Sequence, residues 1–235
     1  MIAVMCGRYT LVNLARLTDL FPWITEPPTD VVARYNIAPT QPILAVANDR
    51  ADQYDHFFWG LVPSWAKDVS IGNKMINARG ETLAERSAFR KAYQRRRCLV
   101  PADGFYEWKL NPDGKTKQPM YVRAKDGNPF ALAGLWEHWQ DPNGNELRSA
   151  TIITTRANAL MATLHDRMPV MLHEKDFRRW LDPADRMPDE LNDLIAPYPA
   201  EAMEVWPVSK LVNSPRNEGP DLIQKIEPEK TTLFG

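Results

Sequence analysis

Between residues 98 and 155 five strand-like runs follow one another with only turns between them, and this crowding restricts the fold more than any other feature. The runs are Cys98–Val100, Phe105–Lys109, Met120–Ala124, Phe130–Trp136 and Ala150–Thr155. They are bounded by Asn111-Pro112-Asp113-Gly114 and Lys125-Asp126-Gly127-Asn128, whose Asx, proline and glycine residues accept tight reversals. Strands this close leave no length for the crossover helices that a doubly wound parallel sheet requires. The expected fold is therefore α+β: a single domain around a curved, barrel-like, mostly antiparallel β-sheet with peripheral helices.

The flanking segments fit that plan. Tyr9–Leu11 reads as a strand, and Thr10 or Asn13 is placed to cap a helix carrying Leu14, Leu17 and Leu20, which Pro22 ends. Pro27-Pro28 marks a loop, Arg34 to Pro39 an extended segment, and Ile43–Ala47 and His56–Gly60 two short strands. Residues 81–97 read as a helix with Leu83, Phe89 and Tyr93 on its inner face. Downstream come a short helix around Leu160, a strand at Val170–Leu172, short helices at Phe177–Leu181 and Glu190–Ile195, and a strand at Val205–Val208. There is no internal repeat or low-complexity tract.

Charge excludes one simple reading. The 235 residues carry a net charge of −1, so nucleic-acid binding needs a local patch rather than bulk basicity. The densest basic run is Arg86, Arg90, Lys91, Arg95, Arg96 and Arg97. It is either a phosphate-tracking patch with Trp65, Tyr93 and Arg8, or a solvated helix face diluted by Glu81 and Glu85. Two cysteines make no disulfide framework and fit a reducing compartment. Met1-Ile2-Ala3-Val4 is too short and uncharged for a signal peptide, and no apolar run reaches the roughly 18 residues of a membrane span. A soluble intracellular protein is expected, without a membrane partner. His56, His138, His165 and His173 show no paired metal-ligand spacing, and no glycine-rich phosphate loop occurs, so neither metal nor cofactor is expected.

Several residues carry chemistry. Cys6 follows Met5, and removal of the methionine would give it a free α-amine, of pKa about 7.7–8.0, beside its thiol. Such a pair traps aldehydes as an imine and then a five-membered ring, with the advantage of intramolecular closure. The alternative is a small buried hydrophobe on the first strand. Glu107, between Tyr106 and Trp108, is either a buried acid–base group or a sheet-face carboxylate pointing at water. His165 suits proton transfer, or is a core histidine held by Asp166 or Arg167. Asn77 and Arg79 alternate on an extended stretch, fit to position a backbone and a phosphate, or to form a turn amide and a salt bridge to Glu81. Cys98 reads as a structural strand residue.

Together these segments resemble the SOS response-associated peptidase (SRAP) family. The resemblance rests on Met5-Cys6-Gly7-Arg8-Tyr9, the stretches 34–39, 58–65, 76–82 and 98–108, Lys117-Gln118-Pro119, His165-Asp166-Arg167-Met168-Pro169 and Trp206-Pro207-Val208-Ser209, in family order. It implies recognition of abasic sites in single-stranded DNA and a covalent thiazolidine link through an N-terminal cysteine. Cys6 would then supply amine and thiol, Glu107 would handle protons, His165 would assist ring opening and reversal, and Asn77 would hold the reacting end. Arg8 and Arg79 would contact phosphate or sugar, while Asn36 and Trp65 would shape the pocket and stack on or wedge beside a base. The expected partner is single-stranded DNA with abasic sites, with the replication machinery as a recruiting context for a monomer at a bacterial nucleoid. The family chemistry needs Cys6 at the mature terminus, so residues 1–5 are expected to be a leader and residues 6–235 the domain. Translation from Met5 is the expected route, with trimming or self-cleavage as alternatives. A thiol peptidase acting on other proteins and a non-covalent DNA-binding module are the competing functions.

Overall fold

Strand alternation sorts the apolar residues onto opposed faces, and that sorting builds the molecule. The computed structural model describes residues 6–26 and 29–227; the expected leader and the Pro27-Pro28 loop lie outside them. The first strands are β1 (Tyr9–Leu11), β2 (Arg34–Ile37), β3 (Pro42–Ala47), β4 (Asp55–Trp59) and β5 (Asn77–Arg79). The crowded middle supplies β6 (Arg97–Ala102), β7 (Gly104–Leu110), β8 (Lys117–Ala124), β9 (Phe130–Gln140) and β10 (Glu146–Arg156). Three short strands follow: β11 (Arg167–Pro169), β12 (Met171–Leu172) and β13 (Met203–Pro207).

These strands make a five-stranded sheet, ordered β13-β8-β7-β1-β2, and an eight-stranded sheet along β11-β10-β4-β3-β6-β9-β12, with β5 beside β10. The pairings are antiparallel except where β4 and β5 run parallel to β10. The inner faces of both sheets meet in one core: Tyr9, Phe105 and Val122 come from the smaller sheet, Phe57, Trp59, Val100, Leu132 and Ile152 from the larger. Their sequence neighbours face outward. Val46, Leu99, Ala133 and Leu135 pack beneath the helices α1 (Leu17–Leu20), α2 (Ser87–Arg95) and α3 (Phe177–Trp180). Tyr106 and Tyr121, on the far face of the smaller sheet, are covered by Val208, Val212 and Leu222. Both sheets are thus buried on both sides, which is why their strands read as near-continuous apolar runs. The α+β expectation stands.

Three local expectations are corrected. Residues 81–97 are not one helix: Gly80–Thr82 is a 3-10 turn, α2 covers only Ser87–Arg95, and Arg97 opens β6. The backbone N–H of Arg97 donates to Asn48 Oδ1 at 2.9 Å, and Arg97 pairs with Leu135, so sheet pairing overrides helix propensity there. Thr10 shares its hydroxyl with Tyr121 at 2.8 Å, and Asn13 stands at the N-cap position of a 3-10 turn, Leu14–Arg16, without a side-chain cap bond before α1 begins. The helix expected at Glu190–Ile195 is instead a pair of 3-10 turns, Pro188–Glu190 and Asn192–Leu194.

Arg97 is withdrawn from the basic run, whose Arg86, Arg90, Lys91 and Arg95 stay exposed. It is fully buried, and its guanidinium donates to the carbonyls of Trp180, Tyr93, Gln94, Asp182 and Ala184 at 2.5–3.1 Å. Arg96 pairs with Glu137 at 2.9 Å and Arg95 with Asp185 at 2.7 Å. The planar fork of Arg97 ties α2, β6 and the loop after α3 together, a geometry that an ammonium does not reproduce. Arg97→Lys is therefore expected to lower stability by about 2–4 kcal/mol in urea denaturation. A DNA-contact role would instead leave stability intact and weaken only binding.

Candidate active site

The register between β1 and β7 brings Cys6, the first described residue, onto a carboxylate. Tyr9 lies opposite Phe105, and the Arg8 carbonyl accepts from the Tyr106 N–H at 2.9 Å. Continued by that spacing, the ladder sets Gly7 across from Glu107. Glu107 shares strand parity with Phe105, so it points into the core between the sheets and is 2% exposed. The reading of Glu107 as a carboxylate facing water is thereby excluded. Cys6 is fully buried beside it and donates its backbone N–H to Glu107 Oε1 at 2.5 Å. Cys6 adopts φ +46°, a left-handed conformation that non-glycine residues rarely hold. That strain falls on the candidate nucleophile.

Electrostatics give these groups their character. Burial pushes the Glu107 carboxyl up to about 7, against the opposing pull of the Cys6 N–H, the Trp108 N–H and Lys117. Burial, reinforced by Glu107, raises the Cys6 thiol well above its ordinary range. The carboxylate is thus addressed to the nitrogen of Cys6, and it opposes ionisation of the sulfur.

His165 reaches the same neighbourhood from the other sheet. Its N–H bonds the Met161 carbonyl at 2.9 Å, and Arg167 grips Glu81 with both nitrogens and the Thr154 carbonyl at 2.7 Å. Of the two alternatives for Arg79, the salt bridge to Glu81 is not the one formed: Arg167 pairs with Glu81 at 2.8 Å. His165 Nδ1 lies 2.7 Å from Asp166 Oδ1 and accepts from the Arg167 backbone N–H at 3.2 Å. Partial burial lowers the His165 pKa from its usual value, with Asp166 acting in the opposite direction. Asp166 and Lys117 both act on Glu107, and Lys117 acts on His165, so the four groups share one electrostatic field. Lys117 and Asp166 carry no chemical signal of their own in the sequence; each stands out only by lying inside a family-like motif.

A second group lies on the opposite edge of β10. β5 pairs with one edge, Arg79 beside Thr154, while β11 pairs with the other, Pro169 beside Thr154. Trp65, Asn77 and Arg79 line an open groove of about 390 Å³ together with Lys74, Arg86 and Phe89. Its charged lining residues are all cationic, and Trp65 is 60% exposed. The loop carrying Trp65 closes where Gly60 and Gly72 meet; a Cβ on Gly60, at φ +138°, would lie 2.5 Å from the Gly72 carbonyl oxygen. Lys74, Arg86 and Phe89 are not recognisable as a group in the sequence, because they converge only when this loop folds back on α2.

Arg8 and Asn36 form a third group. Asn36 is fully buried, so no surface is left for it to meet a base. Its amide donates to the carbonyls of Ser214 and Asn217, both at 2.9 Å, and its oxygen accepts from Arg8 at 2.6 Å. Arg8 also donates to the Val212 carbonyl at 2.8 Å and lies 5.8 Å from the centre of the Trp108 ring. The pair fastens residues 212–217 over the outer face of the smaller sheet.

With this geometry in place, known proteins provide a frame. A family model described as SOS response associated peptidase (SRAP) matches residues 5–215. The "Abasic site processing protein YoqW" of Bacillus subtilis is 48% identical over 225 residues, 94% of this chain and 99% of that protein. The "Abasic site processing protein YedK" of Escherichia coli is 31% identical over 94% of this chain and 100% of its own length. The "Abasic site processing protein HMCES" of Xenopus tropicalis is 34% identical over 72% of this chain and 56% of that protein. A crystal structure of a Bacteroides thetaiotaomicron protein superposes with a TM-score of 0.83 at 25% identity, over 94% of this chain.

The buried carboxyl makes stability depend on pH. Because the fold raises the Glu107 pKa, the protonated form is favoured: its contribution is complete below the ordinary 4.5 and is lost as pH rises to about 7. Glu107→Gln, in the chain that retains residues 1–5, is expected to erase this decline, worth at most about 3 kcal/mol. Urea midpoints measured across that pH window check it, and a parallel decline in both proteins contradicts it.

Proposed function

The chain belongs to the SOS response-associated peptidase family, and from that premise we propose that it captures abasic sites in single-stranded DNA through a thiazolidine on Cys6. The observation that carries this reading is the buried carboxylate 2.5 Å from the Cys6 nitrogen. That nitrogen is an amide while Met5 precedes it; it occupies the place of the α-amine that removal of residues 1–5 would release. A base set on nitrogen, beside a thiol that resists ionisation, suits amine-first chemistry. A thiol peptidase acting on other proteins would need its base on the sulfur.

The Cys6 amine attacks the aldehyde carbon of the ring-opened deoxyribose, and the carbonyl oxygen takes a proton. Water then leaves and an imine remains. The Cys6 sulfur adds to the same carbon, the C=N pair moves to nitrogen, and the thiol proton ends there. One water is lost in all. Glu107, poised near neutrality in the uncleaved chain, takes the amine proton and returns it to the departing hydroxyl. His165 serves sugar ring opening, and Asn77 steadies the reacting end. Closure of a five-membered ring by two groups of one residue gains a large effective molarity. The cationic groove holds flanking phosphates through Lys74, Arg79 and Arg86 while Trp65 meets a base face.

Two outcomes test this. Protein whose intact mass begins at Cys6 is expected to form a one-to-one, heat-stable adduct with an abasic oligonucleotide, at the summed masses less one water. Cys6→Ala abolishes the adduct yet still binds. Turnover without an adduct, or an adduct on protein retaining residues 1–5, overturns the reading. Arg79→Glu and Arg86→Glu should each flatten the dependence of log affinity on log salt by about 0.7 for every phosphate that is no longer neutralised. An unchanged slope removes the groove from the DNA path.

A further inference from the structure

The two strands that lead to Cys6 and Glu107 are tied together from behind. Among the described residues, the backbone ladder between β1 and β7 reaches no further than the Tyr106 N–H on the Arg8 carbonyl, at 2.9 Å. Cys6 and Gly7 lie beyond that rung, and Cys6, at φ +46°, has left strand geometry. Ladder pairing therefore does not fix the gap between the Cys6 nitrogen and Glu107. Residues past the last rung of a ladder fray unless another contact holds them.

That contact comes from the outer face of the smaller sheet. Side chains alternate along a strand, so with Tyr9 and Glu107 directed into the core, Arg8 and Trp108 emerge on the other side. Two consecutive residues of the segment after β13 take hold of them. The Val212 carbonyl accepts from Arg8 at 2.8 Å, and Asn213 Oδ1 accepts from the Trp108 indole N–H at 2.8 Å. This segment is itself anchored: Val212 is buried with Tyr106 and Tyr121, and the Asn36 amide holds the Ser214 and Asn217 carbonyls. Glu218 closes it, accepting from the Tyr35 N–H at 2.7 Å and from Arg34 at 2.9 Å. Residues 212 and 213 thus bridge the open end of the β1–β7 pair, with one side chain gripped from each strand.

We propose that Val212 and Asn213 form a clamp that, through Arg8 and Trp108, keeps the Cys6 nitrogen on Glu107, which makes Asn213 a positioning residue for lesion capture. This rests on the capture chemistry above and adds to it the element that holds the reacting pair in place. Once residues 1–5 are removed, Cys6 loses its upstream neighbour, and the clamp carries more of its placement. Small displacements of a reacting group cost rate out of proportion to the contact that is lost.

Asn213 is exposed, so Asn213→Ala deletes the acceptor without opening the core, and Asn213→Asp keeps an acceptor there. The first measurement needs no DNA. In protein isotope-labelled at cysteine and retaining residues 1–5, amide exchange reports Cys6, with Cys98, paired between Ala47 and Gly134, as the internal control. Asn213→Ala is expected to speed Cys6 exchange about 3- to 10-fold, the weight of one neutral hydrogen bond, while Cys98 is unchanged. Asn213→Asp should restore the wild-type rate. Trp108→Phe should match Asn213→Ala, and the two together should add nothing further. The second measurement uses protein whose intact mass begins at Cys6. There Asn213→Ala should slow single-turnover adduct formation at least about 3-fold, with the half-saturating oligonucleotide concentration unchanged. Cys6 exchange that stays the same, or that rises together with Cys98, overturns the clamp. So does an unaltered adduct rate in a variant whose Cys6 is freed. If Asn213→Ala frees Cys6 selectively but the wild type forms no adduct, the clamp stands and lesion capture falls.

Discussion

The hydrogen bond from the Cys6 nitrogen to the buried Glu107 carboxylate is the constraint around which the rest is arranged. A carboxylate taken from water into an apolar interior is costly unless it is partnered or protonated, and here its pKa rises to about 7. That position is reached only because both sheets are covered on both faces. Helices close the outer side of the larger sheet, and the segment after β13 closes the smaller one. With either cover removed, the core between the sheets would admit water and Glu107 would return toward an ordinary acid.

The polar staples follow from the same need. Arg97 gathers five carbonyls at the junction of α2, β6 and the loop after α3, and the Arg8–Asn36 pair gathers three from residues 212–217. Both tie irregular backbone over a sheet face whose carbonyls would otherwise be buried without partners. Arginine and asparagine here act as architecture, although by residue type alone they resemble ligand contacts. The groove beside β10 is the counterexample. Lys74, Arg79 and Arg86 line open space there with an exposed indole, and no packing requirement accounts for that combination.

Strand identity was legible because short apolar runs and the turn chemistry that bounds them are local. The runs at 98–100, 105–109, 120–124, 130–136 and 150–155 all fall within observed strands. Helix extent was not legible. The stretch 81–97 carries helix-forming residues throughout, yet Arg97 leaves the helix because Asn48 and Leu135 claim its backbone from far along the chain. Glu107 shows the same division: alternation allowed either face, and only the register of β1 on β7 decided for the interior.

The sequence by itself determined the fold class, the family, and Cys6, Glu107 and His165 as the residues most apt for chemistry. These depend on residue type, spacing and order, all of which are present in the unfolded chain. Tertiary structure alone decided that Glu107 faces a nitrogen rather than a sulfur, and that Arg97 and Asn36 are internal. Those facts belong to groups brought together from distant parts of the chain, and burial and partnership do not exist until the sheets close over them.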